Sequence, residues 1–380
     1  MFSDEQMQQL ALTATDFETA STPPGWIFWD PDLYARDIEE IFKKMWLCVG
    51  HASRLNKPGE YFLVDVGNES IIVLADEKGQ GHAFYNVCRH RGTRILSADS
   101  GRCRRLLCPY HAWSYGLDGT LKAAPLMDET PGFDKAEYAL REVRLDTFMG
   151  FLFINLDAEA QPLATQFAGL PDLARFRFPE LVRVGFHNYD VATNWKLINE
   201  NYHECYHCAI AHPQLHRISH FGELAGEDSG GENFVGGPMA IKEQFNTMTT
   251  EGVTDRPPLT GATEEDQQMV HYFNLLPNFL LSVAPDYVLT HYIRPRGPEN
   301  VYIETEWFCS PQQVAEKGFD ATDAIEFWDT TNKQDWLLCE NALLGLKSAG
   351  HEQGPYQAGE TGSHRFDRWY IEKMFPDVAS

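Results

Sequence analysis

Two short stretches constrain this chain most. They read Cys88-x-His90 and, after seventeen intervening residues, Cys108-x2-His111. Two thiolates and two imidazoles at such spacing make a metal site, because sulfur and imidazole donors suit zinc and iron alike. The order of the residues matters. Common zinc fingers place both Cys before both His, whereas here Cys and His alternate. Such loops need a rigid scaffold to bring them together. The flanking runs "EYFLVDV", "SIIVLAD" and "HAFYNV" supply β-type patterning on one side, and "RLLCPY", "HAWSYGLDGTL" and "GFLFINLD" supply it on the other. Asp118-Gly119 is a hairpin signal inside this region.

A second string lies about a hundred residues on. "YHECYHC", Tyr202 to Cys208, contains His203-Glu204-Cys205-Tyr206-His207 and so fits H-E-x-x-H, the zinc-protease signature. The extended form H-E-x-x-H-x-x-G-x-x-H asks for Gly at 210 and His at 213. The chain has Ile210 and Pro213, so the protease reading is weak.

Composition narrows the function classes. The 380 residues carry 31 Lys and Arg against 55 Asp and Glu, a formal charge of −24. Nucleic-acid binding needs a cationic surface, so none is expected. No apolar run approaches the roughly 18–20 residues that span a bilayer, and no basic stretch followed by an apolar run opens the chain. A cytoplasmic protein without a membrane association is expected. Its eight Cys are then expected to be reduced, buried or metal-bound rather than paired.

Along the chain, residues 1–44 read as an acidic arm with a helix around Tyr34 to Met45. Residues 45–155 read as a small β domain, and 156–380 as an α+β domain. In the latter a helix is expected from Asn194 to about Ala211. Residues 219–268 are rich in Gly, Thr, Asp and Glu, and a connection that long is usually functional or partly disordered. The runs "HYFNLLPNFLLSVAP", "YVLTHYIRP" and "VYIETEWFCS" suggest an antiparallel sheet, and a long helix is expected over about 321–348. On that helix the stripe Ile325, Trp328, Asn332, Asp335, Cys339, Ala342 puts Asp335 on a mainly apolar face. A carboxylate buried there needs a partner.

Cys88-x-His90-Arg91-Gly92 and Cys108-Pro109-Tyr110-His111-Ala112-Trp113 resemble the two loops of a Rieske [2Fe–2S] domain. In such a centre each loop gives one Cys to one iron and one His to the other. "NWKLINENYHECYHCAIAHP" and "NKQDWLLCENALLGLKS" resemble the catalytic segments of Rieske non-haem iron oxygenases, and the resemblance covers nearly the whole chain. It implies a Rieske domain followed by a helix-grip catalytic domain. Cys88, His90, Cys108 and His111 would hold the cluster. His207, His212 and Asp335 would hold a mononuclear Fe(II) as a facial triad. Pro213 disfavours helix at His212, which would let that side chain turn back to the metal.

The same resemblance gives Glu204 the role of an electron bridge between His111 of one subunit and His207 of the next in a homotrimer. Asp is usual there; Glu within Glu-Cys-Tyr-His-Cys resembles the branch acting on carnitine and betaines. Asn201 would lie near the iron, and Trp113 would shield the cluster. His203 is read as a helix-surface or interface residue, and Cys103, Cys205 and Cys208 as packing.

The implied activity is the terminal oxygenase of a multicomponent monooxygenase or dioxygenase. Electrons would come from a separate reductase, with or without a ferredoxin, and NAD(P)H and flavin would act only through it. No strand-following G-x-G-x-x-G is present. Six Arg at 89, 91, 94, 102, 104 and 105 crowd the Rieske segment. They suggest a docking patch for an acidic donor near Arg102, Arg104 and Arg105, a contact to acidic groups of a neighbouring subunit, or scattered solvated side chains.

The favoured substrate is a small quaternary ammonium compound. Tyr202, Tyr206, Phe245, Tyr272, Phe273 and Tyr292 are compatible with cation–π binding, although such aromatics are more often core. An aromatic or heteroaromatic acid, hydroxylated or demethylated, is the alternative. A Rieske electron carrier without oxygenase activity is the remote one.

Overall fold

The structure is a computed structural model that describes residues 2–220 and 229–379. The chain forms two compact units, residues 42–163 and residues 1–41 with 164–380. No helix among the described residues is long and apolar enough to cross a membrane.

The unit 42–163 is built on strands β1 (Leu47–His51), β2 (Glu60–Val66), β3 (Glu69–Ala75), β4 (Gly81–Tyr85), β5 (Ser100–Arg102), β6 (Leu106–Leu107), β7 (Ser114–Tyr115), β8 (Leu121–Ala123), β9 (Glu142–Phe148) and β10 (Phe151–Asn155). Seven of them pair antiparallel in the order β1-β10-β9-β4-β3-β2-β5, and β6-β7-β8 make a small second sheet. β-Branched and aromatic residues favour this pleated, half-buried setting. Ile72, Leu74, Phe84, Leu106 and Tyr115 form its core together with Cys88, Cys108 and Trp113. The turn between β7 and β8 contains Asp118-Gly119. Asp118 accepts from the Thr120 backbone N–H at 3.1 Å, and Gly119 sits at φ +75° where a Cβ would strike Phe84 at 2.5 Å. Only glycine closes this turn without displacing the core.

The other unit begins with helices α1 (Asp4–Thr13) and α2 (Pro31–Asp37), the latter continued by one wider turn over Ile38–Phe42. The expected helix from Tyr34 to Met45 therefore starts earlier and stops earlier. Its sheet runs β11 (Val182–Val191), β12 (Ser229–Gly231), β13 (Phe234–Ala240), β14 (Met269–Leu275), β15 (Phe279–Val283), β16 (Val288–Gly297) and β17 (Asn300–Cys309), in the antiparallel order β11-β17-β16-β15-β14-β13-β12. Central β15 is buried along its whole length, so it reads as a continuous apolar run rather than an alternating one. Edge strand β11 escaped the sequence reading because most of it is exposed or half-exposed and carries Gly185, His187 and Asn188. Within 219–268, residues 221–228 lie outside the described residues, and 229–240 form β12 and β13.

Four further helices carry the site. They are α3 (Trp195–Tyr202), α4 (Cys208–Ala211), α5 (Pro213–Ile218) and the long α6 (Thr322–Leu346), followed by the C-terminal α7 (Thr361–Met374). The single helix expected over 194–211 is thus interrupted. Asp37 at the end of α2 staples the start of α3. Its carboxylate takes a 2.6 Å bond from Lys196 Nζ, 3.0 Å from Trp195 Nε1 and 2.7 Å from Tyr370 Oη on α7. All four residues are buried. Three donors on one carboxylate compensate the removal of both charges from water.

Candidate functional site

In the unit 42–163 the two Cys-His loops share one construction. In the first, Cys88 N–H donates to Thr93 O at 2.9 Å and Gly92 N–H to Cys88 O at 3.0 Å. In the second, Cys108 N–H donates to Trp113 O at 2.8 Å and Ala112 N–H to Cys108 O at 3.2 Å. The corresponding residues Gly92 and Ala112 both take positive φ, +74° and +57°. The loops therefore present their side chains in parallel.

Cys88 and Cys108 are buried at the core end, and burial pushes the Cys88 thiol up. Tyr115 Oη lies 3.3 Å from Cys88 Sγ and accepts from the Arg89 backbone N–H at 3.0 Å. His90 and His111 stand at the outer end with ring centroids 4.7 Å apart, and buried Trp113 stacks on His90 at 4.9 Å. Burial, then the neighbouring His111 and Arg91, hold the His90 imidazole below its usual range. Neutral imidazoles paired outside and sulfur paired inside fit a Cys₂His₂ cluster. Of the six arginines, 91, 94, 102, 104 and 105 are exposed, and Arg89 is spent on Ala139 O at 2.8 Å.

In the other unit α3 is capped by Asn194, whose side chain accepts from the Lys196 N–H. It stops at Tyr202 because the Glu204 carboxylate offers the chain a rival acceptor. Glu204 Oε2 takes the backbone N–H of Tyr206, and that of His207 at 3.3 Å. Acidic side chains that cap nearby N–H groups compete with helix in this way. The residues 203–207 form a turn, and α4 begins at Cys208.

This turn changes three sequence expectations. His203 is half-buried rather than on the open helix surface. Its Nε2 lies 3.0 Å from Asn274 Nδ2 and its ring stacks on Phe366 at 5.8 Å. Burial, reinforced by Arg365, pushes it down to about 3. Cys205 and Cys208 are not separate packing thiols; they are joined in a disulfide. The turn brings their Cα atoms to 4.9 Å, within disulfide range.

Glu204 Oε1 accepts from His207 Nδ1 at 2.5 Å. Gln334 Oε1 on α6 accepts from His212 Nδ1 at 2.8 Å and from Gln214 Nε2 at 2.7 Å. With Nδ1 committed on both rings, both turn Nε2 toward Asp335. Asp335 Oδ1 lies 3.2 Å from His207 Nε2 and 2.8 Å from His212 Nε2. Asn201 Nδ2 is 3.5 Å from His207 Nε2.

Burial alone would lower the His207 imidazole, but its bonds to Asp335 and Glu204 push it up to about 10. Burial would likewise raise Asp335, and the two imidazoles hold it down. A proton or a divalent cation can fill the position between these three donors. Two imidazoles fixed by outer acceptors and one carboxylate make a donor set suited to non-haem Fe(II). Cys208 Sγ also lies within 4.8 Å of the two His, but its bond to Cys205 leaves no thiolate to ligate.

These donors open on a cavity of about 770 Å³. Tyr202, Tyr206 and Tyr272 line it, with Trp328 and Trp336 of α6. Phe245, Phe273 and Tyr292 do not line it. Tyr292 is buried on β16, bonded to Glu306 at 2.9 Å. His291 also lines the cavity, and burial pushes it down to about 4. Sequence reasoning missed Trp328, Trp336 and His291 as cavity residues. The first was assigned to the helix stripe; the others gave no signal beyond their place in apolar segments.

Comparison with known proteins agrees with both halves. Residues 45–138 match the Rieske [2Fe-2S] domain, and residues 178–375 match the ring hydroxylating alpha subunit (catalytic domain). The chain is 30% identical over 374 residues to the glycine betaine monooxygenase oxygenase subunit of Chromohalobacter salexigens, covering 91% of this chain and 84% of that one. It is 28% identical to the chloroplastic choline monooxygenase of Spinacia oleracea, covering 94% and 79%. Its fold follows that of the quaternary ammonium Rieske monooxygenase CntA in complex with L-carnitine, with a TM-score of 0.77, 25% identity, and 100% and 99% of the two chains covered. The chain belongs to the alpha-subunit family of Rieske ring-hydroxylating oxygenases.

Proposed function

We propose that this terminal oxygenase hydroxylates a quaternary ammonium substrate at a carbon near the nitrogen. The balance is C–H plus O₂, two electrons and two protons to C–OH plus water. Attack on an N-methyl carbon gives a carbinolamine, which loses formaldehyde to leave the demethylated amine. The observation that carries the substrate class is the lining of the cavity. Tyr202, Tyr272, Trp328 and Trp336 offer aromatic faces, which attract cations. Glu204 and Asp335 are there too, while no Lys or Arg among the described residues lines the cavity. Relatives that act on glycine betaine and choline support the same class.

In this reading His207, His212 and Asp335 hold the mononuclear iron, which supplies binding and activation of O₂. Cys88, Cys108, His90 and His111 hold the cluster, which stores single electrons. The surrounding side chains do the rest. Glu204 keeps the proton on His207 Nδ1, so Nε2 stays directed at the metal position. Gln334 does the same for His212. Asn201 sits beside His207 Nε2 and helps to order whatever occupies the open side.

Glu204 also bridges to His111 of a neighbouring subunit in a homotrimer, giving electrons a hydrogen-bonded route between the centres. A separate NAD(P)H-dependent reductase, with or without a ferredoxin, docks near Arg102, Arg104 and Arg105, where exposed cations attract an acidic partner. A cytoplasmic site of action belongs to the same reading, because the NAD(P)H that feeds such a reductase is there.

Single-turnover assays on the reduced, iron-loaded protein test this. Addition of O₂ should yield hydroxylated product or formaldehyde from ammonium compounds. Product from aromatic acids and none from any ammonium compound would refute the substrate class.

A further inference from the structure

The Cys205–Cys208 disulfide encloses a candidate metal ligand. His207 lies between the two cysteines in the chain. Cys208 Sγ stands 3.9 Å from His207 Nε2, the nitrogen that faces Asp335. This sulfur and the ligand nitrogens of His207 and His212 all lie within 4.8 Å of one another. Zinc sits about 2.1 Å from an imidazole nitrogen and about 2.3 Å from a thiolate sulfur. Two such donors on one ion are therefore at most about 4.4 Å apart, and the 3.9 Å separation falls inside that limit. The bond to Cys205 is what keeps this sulfur from being a donor, because the thiolate is the metal-binding form of cysteine.

The two redox states of the pair thus differ in donor set. Closed, the metal position has two imidazoles and one carboxylate, a set suited to Fe(II) with positions left for O₂. Opened, it gains a soft thiolate, which favours zinc. Cys205 is half-buried and lines the cavity, whereas Cys208 is buried, so a thiol reductant meets Cys205 first. Attack on Cys205 Sγ forms a mixed disulfide there, and the electron pair of the broken S–S bond leaves with Cys208 as thiolate. A second thiol frees Cys205. Two thiols become one disulfide, and two electrons and two protons pass to the pair. The cytoplasm is kept reducing by such thiols, and disulfides found there are mostly transient, catalytic or redox-sensing.

We propose that the Cys205–Cys208 pair is a redox switch on metal selection at the catalytic site. Closed, it withholds sulfur from His207, His212 and Asp335. Opened, Cys208 joins the two imidazoles, shifts the site toward Zn²⁺ and fills a coordination position. Zinc has no redox chemistry, so the shifted site is silent as an oxygenase. The inference rests on reading these residues as the mononuclear iron site.

The test uses the full chain with its cluster, after a chelator has cleared the mononuclear site. Zn²⁺ and Fe²⁺ are titrated under argon before and after treatment with a phosphine reductant. The ratio of zinc to iron affinity should rise roughly tenfold or more on reduction. X-ray absorption at the zinc edge should show sulfur at about 2.3 Å in the reduced protein and none in the oxidised one. Cys205→Ser leaves Cys208 unpaired and should show the zinc–sulfur contact without reductant. Cys208→Ser should show it in neither state, and its affinity ratio should not respond to reductant. Zinc held by nitrogen and oxygen alone in both the reduced protein and Cys205→Ser, with an unchanged ratio, overturns the switch and leaves the iron site standing. A protein that takes up neither ion in either state removes both readings.

Discussion

Oε1 of Glu204 lies 2.5 Å from Nδ1 of His207, three residues along the same chain. This contact ties the turn that ends α3 to the orientation of a candidate iron ligand. A Gln in its place keeps an acceptor oxygen for Nδ1 but loses the charge. Glu204→Gln should therefore retain close to full iron content, and turnover should fall by about a hundredfold or more if the carboxylate carries electrons between subunits. Metal analysis beside single-turnover product yield reads the two effects separately. Full turnover with full iron would sink the bridging role. Glu204→Ala removes the outer acceptor as well and should weaken iron binding by roughly 10–100-fold.

Asp335 contributes the one carboxylate of the proposed triad. Asp335→Asn should lower the iron content from about three atoms per chain to about two, those of the cluster. The Rieske EPR signal should persist unchanged, and oxygenase activity should disappear. Gln334→Ala should give a milder version, with His212 free to rotate and iron lost more readily to a chelator. An iron content of two in the unaltered protein, with an intact Rieske signal, would point to an electron carrier.

The two proposed metal sites can be read in the sequence to different degrees, for physical reasons. Cys88, His90, Cys108 and His111 stand out because loop ligands sit close together along the chain, and their spacing survives without knowledge of the fold. Asp335 was legible because a 25-residue helix has a strict period, and a carboxylate on its inner face is costly without a partner. His203 and the Cys205–Cys208 bond were not legible. Both depend on the helix breaking at Tyr202, and that break comes from Glu204 capturing two backbone N–H groups. Helical periodicity carries no record of such a local competitor. His291 and Trp336 were hidden for another reason. Facing a cavity is a property of three-dimensional surroundings, and no spacing in the sequence announces it.

The buried Lys196–Asp37 contact should dominate the stability of the second unit. Removing one partner of a buried pair leaves an uncompensated charge, at a cost of about 3–5 kcal/mol. Asp37→Ala should thus lower the urea midpoint strongly and loosen the start of α3, with a secondary loss of iron. Asp37→Leu combined with Lys196→Met removes both charges and should recover most of the stability. A double variant no more stable than Asp37→Ala would mean that the Trp195 and Tyr370 bonds to Asp37, rather than the charge pair, carry the effect.

A pair of buried acids behind α3 makes stability depend on pH. Asp367 on α7 is pushed up to about 7, chiefly by burial, with Glu360 adding to the shift. Glu200 on α3 faces it and is also raised, by burial and then by Asp367, with Lys196 opposing. Tyr356 Oη donates to Asp367 Oδ2 at 2.7 Å. In the unfolded chain Asp367 returns to its ordinary value of 3.8. Between that value and about 7 the folded state holds more protons than the unfolded state. Stability contributed by this group is therefore complete in acid and is lost as pH rises through the window. Asp367→Asn can still accept from Tyr356 and can donate to an ionised Glu200, so it should remove most of the penalty. Relative to the unaltered protein it should gain on the order of 1–3 kcal/mol at pH 8 and little at pH 4. Urea denaturation at the two pH values measures the difference. A gain of equal size at both would show that the proton shared by Glu200 and Asp367 is not its source.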